Sequence, residues 1–276
     1  MPPASDPLSD VIAHYAAADE PARLQRGASQ LEAARTRELI RRHAPPAPAT
    51  VLDVGGGGGA YAFWLASLGY AVHLVDLVPR HVAHAERVNA AAAAPLASLA
   101  VGDARRLDRG DASAEVVLLL GPLYHLPEAA GRAAALAEAA RVLRPGGWLF
   151  AAAISRFASA LDGLARDLFA DPAFGPIVAR DLATGEHRND AGHPDYFTTA
   201  YFHRPDELAA EVATAGLAEG EVFGIEGPGW LFDDFEARWA NERRRADLLR
   251  VAQALEAEPS IRGASAHLLA VARKPS

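Results

Sequence analysis

VLDVGGGGGA, residues 51–60, joins a short apolar run to a helical pattern through five consecutive glycines. Glycine permits positive φ and lets a ligand lie against the backbone, and the helix that follows offers unpaired N–H groups. Each glycine costs up to about 1 kcal/mol relative to alanine in regular structure, and a plain turn needs only one or two. The run therefore predicts a ligand loop between the first strand and the first helix of an α/β domain.

Outward from the loop, apolar runs alternate with helical periodicities. Strands are expected over 50–54, 71–75, 99–101, 115–120, 148–154, 221–225 and 266–272. Helices are expected over 60–68, 79–93, 127–143, 205–215 and roughly 232–255, with RPGG at 144–147 as a turn. The 115–120 run is unbroken by polar alternation after Glu115, as for a strand buried on both faces. This order predicts right-handed βαβ units and a doubly wound, seven-stranded, mostly parallel sheet.

Residues 9–43 read as a broken helical segment, ended by the PPAP connector at 45–48, so 1–48 is expected to form an N-terminal helical lid. Residues 49–276 then form the main domain. The stretch 155–203 interrupts its rhythm with helical fragments such as 161–169 and the segment EHRNDAGHPDYFTTAYFHR, and is expected to be a functional cap.

Composition narrows the function. The 276 residues carry a net charge of −8, no cysteine, and one lysine, Lys274. Disulfides, thiolate chemistry and an internal Schiff-base lysine are excluded. The acidic balance weighs against nucleic acid as a partner. No run has the length and hydropathy of a membrane span, and the N-terminus lacks a secretory pattern, so a cytoplasmic location is expected. Oligomeric state is open.

Three acids sharpen the loop's meaning. Asp53 lies in the strand before the glycines, where a buried carboxylate needs a partner that a ligand ammonium would supply. Asp76 ends the second strand, where an acid holds ribose hydroxyls of a nucleotide-containing ligand. Asp103, in GDARRLD, is placed to accept from an adenine amino group. Gly55-x-Gly57-x-x-Ala60 also scans as a dinucleotide fingerprint, which keeps an NAD-dependent oxidoreductase open.

Together, DVGGGGG at 53–59, LVD ending at Asp76, GDA at 102–104, LLLGPLYHLP at 118–127 and RPGGWLFAA at 144–152 resemble the class I S-adenosylmethionine-dependent methyltransferases. The resemblance spans about residues 50–155 and implies a Rossmann-like sheet whose last strand is antiparallel. It also implies S-adenosylmethionine as cofactor and methylation on O, N or C, while the acidic charge, the scarcity of lysine and the 155–203 cap point to a small molecule as substrate. Gly55, Gly57 and Gly59 would lie against the methionine and ribose, and Asp53 would orient the amino group. Asp76 would hold the ribose diol and Leu77 would cover the adenine. Asp103 and Ala104 would bind the adenine edge, with Leu120 and Gly121 beside the sulfonium. Tyr15 and Arg23 of the N-terminal segment would reach the cofactor carboxylate. The family commonly has cysteine, threonine or serine at Gly56 or Gly58, where this chain has glycine.

Methyl transfer from a sulfonium needs positioning and desolvation, with a base added where the nucleophile carries a proton of high pKa. His125, in the turn after the fourth strand, is the candidate base, and Tyr124 its neighbour. His193, Tyr196 and Trp230 are candidates for contacting the substrate. His193-x-Asp195 lacks a third ligand, so no metal is expected. The same fold could also spend the cofactor on aminocarboxypropyl transfer or cyclisation.

Overall fold

The computed structural model describes residues 23–190, 192–193 and 196–276, so Tyr15 and Asp195 lie outside the described residues. A sheet is built from Thr50–Val54 (β1), Ala71–Asp76 (β2), Ser98–Val101 (β3), Ala114–Leu119 (β4) and Leu143–Ser155 (β5). They stand in the order β3-β2-β1-β4-β5, all parallel. The helices between them are Ala60–Ser67 (α2), Pro79–Ala90 (α3) and Ala129–Val142 (α4), with Ser29–His43 (α1) before β1.

Alternate residues of each strand feed two cores. Leu52, Val117, Leu119, Leu149 and Ala151 pack toward α4. Val51, Val116, Leu118 and Phe150 pack toward α1 and α2. A period of two with both faces buried is what a sheet covered by helices on each side requires. Helix α1 is fixed to this body: Leu39 and Ile40 enter the core, and Arg35 and Arg42 both pair with Glu256.

Beyond β5 come Ala158–Ala165 (α5) and Phe174–Thr184 (α6), then the short strands Glu186–His187 (β6) and Ala200–His203 (β7). Pro205–Thr214 (α7), Ala218–Gly224 (β8), Phe235–Ala240 (α8), Glu242–Leu255 (α9) and His267–Arg273 (β9) complete the chain. Strand β9 runs antiparallel to β5 over its length, and β8 antiparallel to β9. The last strand is therefore the reversed one, as the resemblance implies.

The sheet has nine strands where the sequence predicts seven. The additional pair, β6 and β7, lies in the cap. Ile154 pairs with His267 of β9 and with Phe202 of β7, so β7 must lie on the opposite edge of β5 from β9. That places β7 in the row of β4, which stops at Leu119 opposite Ala151. The single helix expected over 232–255 is broken at Asn241, whose side chain accepts from the Arg244 N–H at 3.1 Å and caps α9. Helix α5 ends at Ala165, short of the expected 169. The RPGG turn does not interrupt pairing: Leu143 opposes Ala114 and Trp148 opposes Val116 across an irregularity. No described helix is long and apolar enough to cross a membrane.

Candidate functional site

At the C-terminal ends of β1, β2 and β4 lies a cavity of about 510 Å³. Such a position, outside the carboxyl ends of parallel strands, is where open α/β sheets take ligands. The glycine loop forms one wall. Gly55, Gly57 and Gly59 all have positive φ. Gly55 donates to Val75 O at 2.7 Å, which draws the loop across the end of β2. A Cβ on Gly55 would fall 2.6 Å from the Pro122 ring, so the loop and the turn after β4 pack directly together. A Cβ on Gly56 would fall 2.7 Å from Asp53 Oδ2, so a side chain there would displace the Asp53 carboxyl.

Asp53 is buried beneath the loop and lines the cavity. Its Oδ2 has no hydrogen-bond partner among the described residues. Burial, and next the Asp76 carboxylate, push its pKa up to about 7, against a backbone hydrogen bond from Ala62. A buried carboxylate with an unsatisfied oxygen is costly unless a cation or donor completes it. The ammonium of an amino-acid moiety would do so.

Each oxygen of Asp76 accepts a backbone N–H: Gly57 N–H to Oδ2 at 2.8 Å, and Val78 N–H to Oδ1 at 2.8 Å. His81 Nδ1 lies 3.1 Å from Oδ1. The carboxylate thus ties the glycine loop to the start of α3 while bordering the cavity. Asp103 also lines it, with both oxygens held by the Arg105 side chain at 2.6–3.1 Å. Burial works against ionisation there, but the Arg105 hydrogen bonds and charge hold the carboxyl below its usual range.

Leu77, Ala104, Leu120 and Gly121 line the same cavity, as does Arg23. The Arg23 guanidinium sits bidentately on Glu32, at 2.7 and 2.9 Å. Burial opposes ionisation of Glu32, yet Arg23 and His267 bring its pKa down to about 2. His267 in turn holds Glu226 at 2.6 Å. Glu32, Glu226 and His267 are the one group of three possible metal ligands among the described residues. Their oxygens and ring nitrogen are already joined by ion pairs within the protein.

Tyr124 and His125 belong to a 3₁₀ turn, Pro122–His125, and both reach the cavity wall. The Tyr124 hydroxyl donates to Leu120 O at 3.3 Å. The His125 ring stacks on Phe197 of the cap at 5.8 Å. Phe197 is held through its carbonyl, which accepts from His187 Nε2 at 3.2 Å, and His187 is held by Asp181 at 2.9 Å.

The three expected substrate contacts lie elsewhere. Tyr196 is buried in the cap's own core with Phe174, and its hydroxyl donates to Asp171 at 2.5 Å. His193 stacks on Tyr196 at 4.3 Å. Trp230 donates to Ala264 O at 2.9 Å and fastens the segment before β9. None of them lines the cavity.

The sequence reading missed several lining residues. His81, His84 and Val88 form one face of α3, a spacing visible in the sequence as i, i+3, i+7. Tyr61 and Phe63 come from the first turn of α2. Arg37 of α1 also reaches the cavity, and its buried Nε has no hydrogen-bond partner. No signal in a basic helical segment distinguishes Arg37 from its neighbours.

Residues 51–147 match the family model of a methyltransferase domain. The ubiquinone biosynthesis O-methyltransferase of Paraburkholderia phytofirmans is 32% identical over 187 residues, covering 67% of this chain and 72% of that protein. An S-adenosylmethionine-dependent methyltransferase from Mesorhizobium loti superposes with a TM-score of 0.59 at 17% identity, over 88% of this chain and 100% of the other. A second, from Methanosarcina mazei, gives 0.58 at 16% identity over 86% and 97%.

Proposed function

The chain belongs to the class I S-adenosylmethionine-dependent methyltransferases, and on that premise we propose that it methylates a hydroxyl oxygen of a small molecule, with His125 as the base. One observation carries this reading: His125 and Tyr124 share a cavity wall with the glycine loop, Asp53, Asp76 and Asp103. The names of the relatives, O-methyltransferases of ubiquinone biosynthesis, support oxygen as the attacking atom.

The residues fit the cofactor. The unsatisfied Asp53 Oδ2 takes the methionine ammonium. Arg37 answers the carboxylate, because Arg23 is engaged by Glu32. Asp76 takes the ribose and Asp103 the adenine edge. Of the expected lid, α1 is fixed to the body, while Arg23, Leu24 and Gln25 border the cavity and screen it from water.

Bound S-adenosylmethionine supplies a methyl group already activated by its sulfonium, so the chain's work is positioning, exclusion of water and removal of one proton. Held by Asp53, Asp76 and Asp103, the cofactor would offer that methyl group to an acceptor hydroxyl placed against the His125 turn. The imidazole of His125 receives the hydroxyl proton. Phe197 stacked on His125 fixes the ring's plane.

Labelled S-adenosylmethionine offered with phenols, alcohols and amines tests the reading by product mass. Methylated hydroxyl compounds and S-adenosylhomocysteine are expected. Release of methylthioadenosine, or transfer of an aminocarboxypropyl group, would contradict methyl transfer. His125→Gln is expected to lower turnover by about a hundredfold while sparing S-adenosylhomocysteine binding. Unchanged turnover would reduce His125 to packing against Phe197.

A further inference from the structure

We infer that His81 is a positioning residue for cofactor recognition, fixing which oxygen of Asp76 is offered to the ribose. The inference rests on the reading that the cavity holds S-adenosylmethionine.

Asp76 is buried at the end of β2, and the next turn begins α3. Two residues on, the Val78 N–H binds Oδ1 at 2.8 Å. Five residues on, His81 Nδ1 binds the same oxygen at 3.1 Å. A carboxylate already accepting backbone N–H bonds offers only lone pairs, so Nδ1 carries the proton and donates. Oδ1 is thereby filled by two donors. Among the described residues Oδ2 accepts only the Gly57 N–H, at 2.8 Å, and keeps a lone pair for a further donor.

His81 is itself buried and lines the cavity, so it can hold Asp76 only in this one orientation. Asp53 explains why such a brace is needed. Burial first, and the Asp76 charge second, raise the pKa of Asp53, so the two carboxylates are near enough to repel one another. Without His81, Oδ1 would keep a lone pair open beside the Val78 N–H, and either oxygen of Asp76 could be presented to the diol. Hydrogen bonds that orient a ligand-binding side chain raise affinity without touching the ligand. Helix α3 thus contributes through Asp76 as well as through its cavity face.

Calorimetric titration with S-adenosylhomocysteine tests this in four proteins: wild type, His81→Leu, Asp76→Asn and the double variant. His81→Leu is expected to weaken binding about tenfold, and to add less than about twofold in the Asp76→Asn background. His81→Asn, whose amide can donate in place of Nδ1, is expected to bind within about threefold of wild type. Independent losses that multiply in the double variant would overturn the inference, as would His81→Leu binding like wild type. Wild-type protein that fails to bind S-adenosylhomocysteine would overturn the cofactor reading itself, a distinct result.

Discussion

Asp53 links burial to ligand at the scale of one residue. Its folded-state pKa, about 7, lies above the ordinary 3.8, so between these values the folded protein holds a proton that the unfolded chain releases. Ligand-free stability contributed by this group therefore falls as pH rises through that window. A cofactor ammonium binds the ionised form, so affinity should rise with pH up to about 7 and then level off. Asp53→Asn should raise the ligand-free melting temperature near pH 8, weaken S-adenosylhomocysteine binding there by about tenfold, and flatten its dependence between about pH 6 and 8. A variant with wild-type affinity and slope would remove Asp53 from the site. Asp53 and Asp76 were legible in the sequence because a carboxylate at a strand end beside glycines has few other uses. Arg37 and His81 were not, because their significance arises from which face of α1 and α3 meets the cavity.

At the scale of elements, the turn carrying Tyr124 and His125 is held from behind by Arg132 of α4. Its Nη1 donates to Leu126 O at 3.0 Å and Pro127 O at 2.7 Å, and its Nε to Glu211 of α7 at 2.9 Å. The guanidinium also lies 3.7 Å from the centre of the Tyr201 ring on β7. One buried cation therefore joins the turn, the cap strand and α7. Arg132→Met keeps the volume but leaves Glu211 to His203 alone and strands the two carbonyls, and should cost about 3 kcal/mol in urea unfolding. A loss below about 0.5 kcal/mol would show that the turn holds itself. The parallel strands and their helices were readable because continuous apolar runs and helical periodicity are local. Strands β6 and β7 were not: two and four residues long, β7 exists through pairing with β5 and through Arg132 and Arg156 around Tyr201, and β6 through pairing with β7. The same non-local packing drew Tyr196 into the cap's core, with His193 stacked on it, although their composition suggested a substrate face.

For the whole molecule, the strand order β3-β2-β1-β4-β5 places the ends of β1, β2, β3 and β4 around one cavity. The glycine loop, the three acids and the His125 turn are far apart in the chain and meet because parallel strands all end on one side. The cap hairpin then extends the row of β4 and brings Phe197 onto His125. On the proposed reading the fold separates two tasks, cofactor capture by the strand ends and acceptor positioning by the turn and cap. The glycine motif left NAD open as the ligand, and the cavity's chemistry distinguishes the two: an unsatisfied buried carboxylate at the loop suits an ammonium and repels a pyrophosphate. Calorimetric titration of the wild-type protein with S-adenosylhomocysteine and, separately, with NAD tests this directly. Saturable binding of S-adenosylhomocysteine at one site per chain with no heat from NAD is the expected result, and saturable binding of NAD with none of S-adenosylhomocysteine would contradict it.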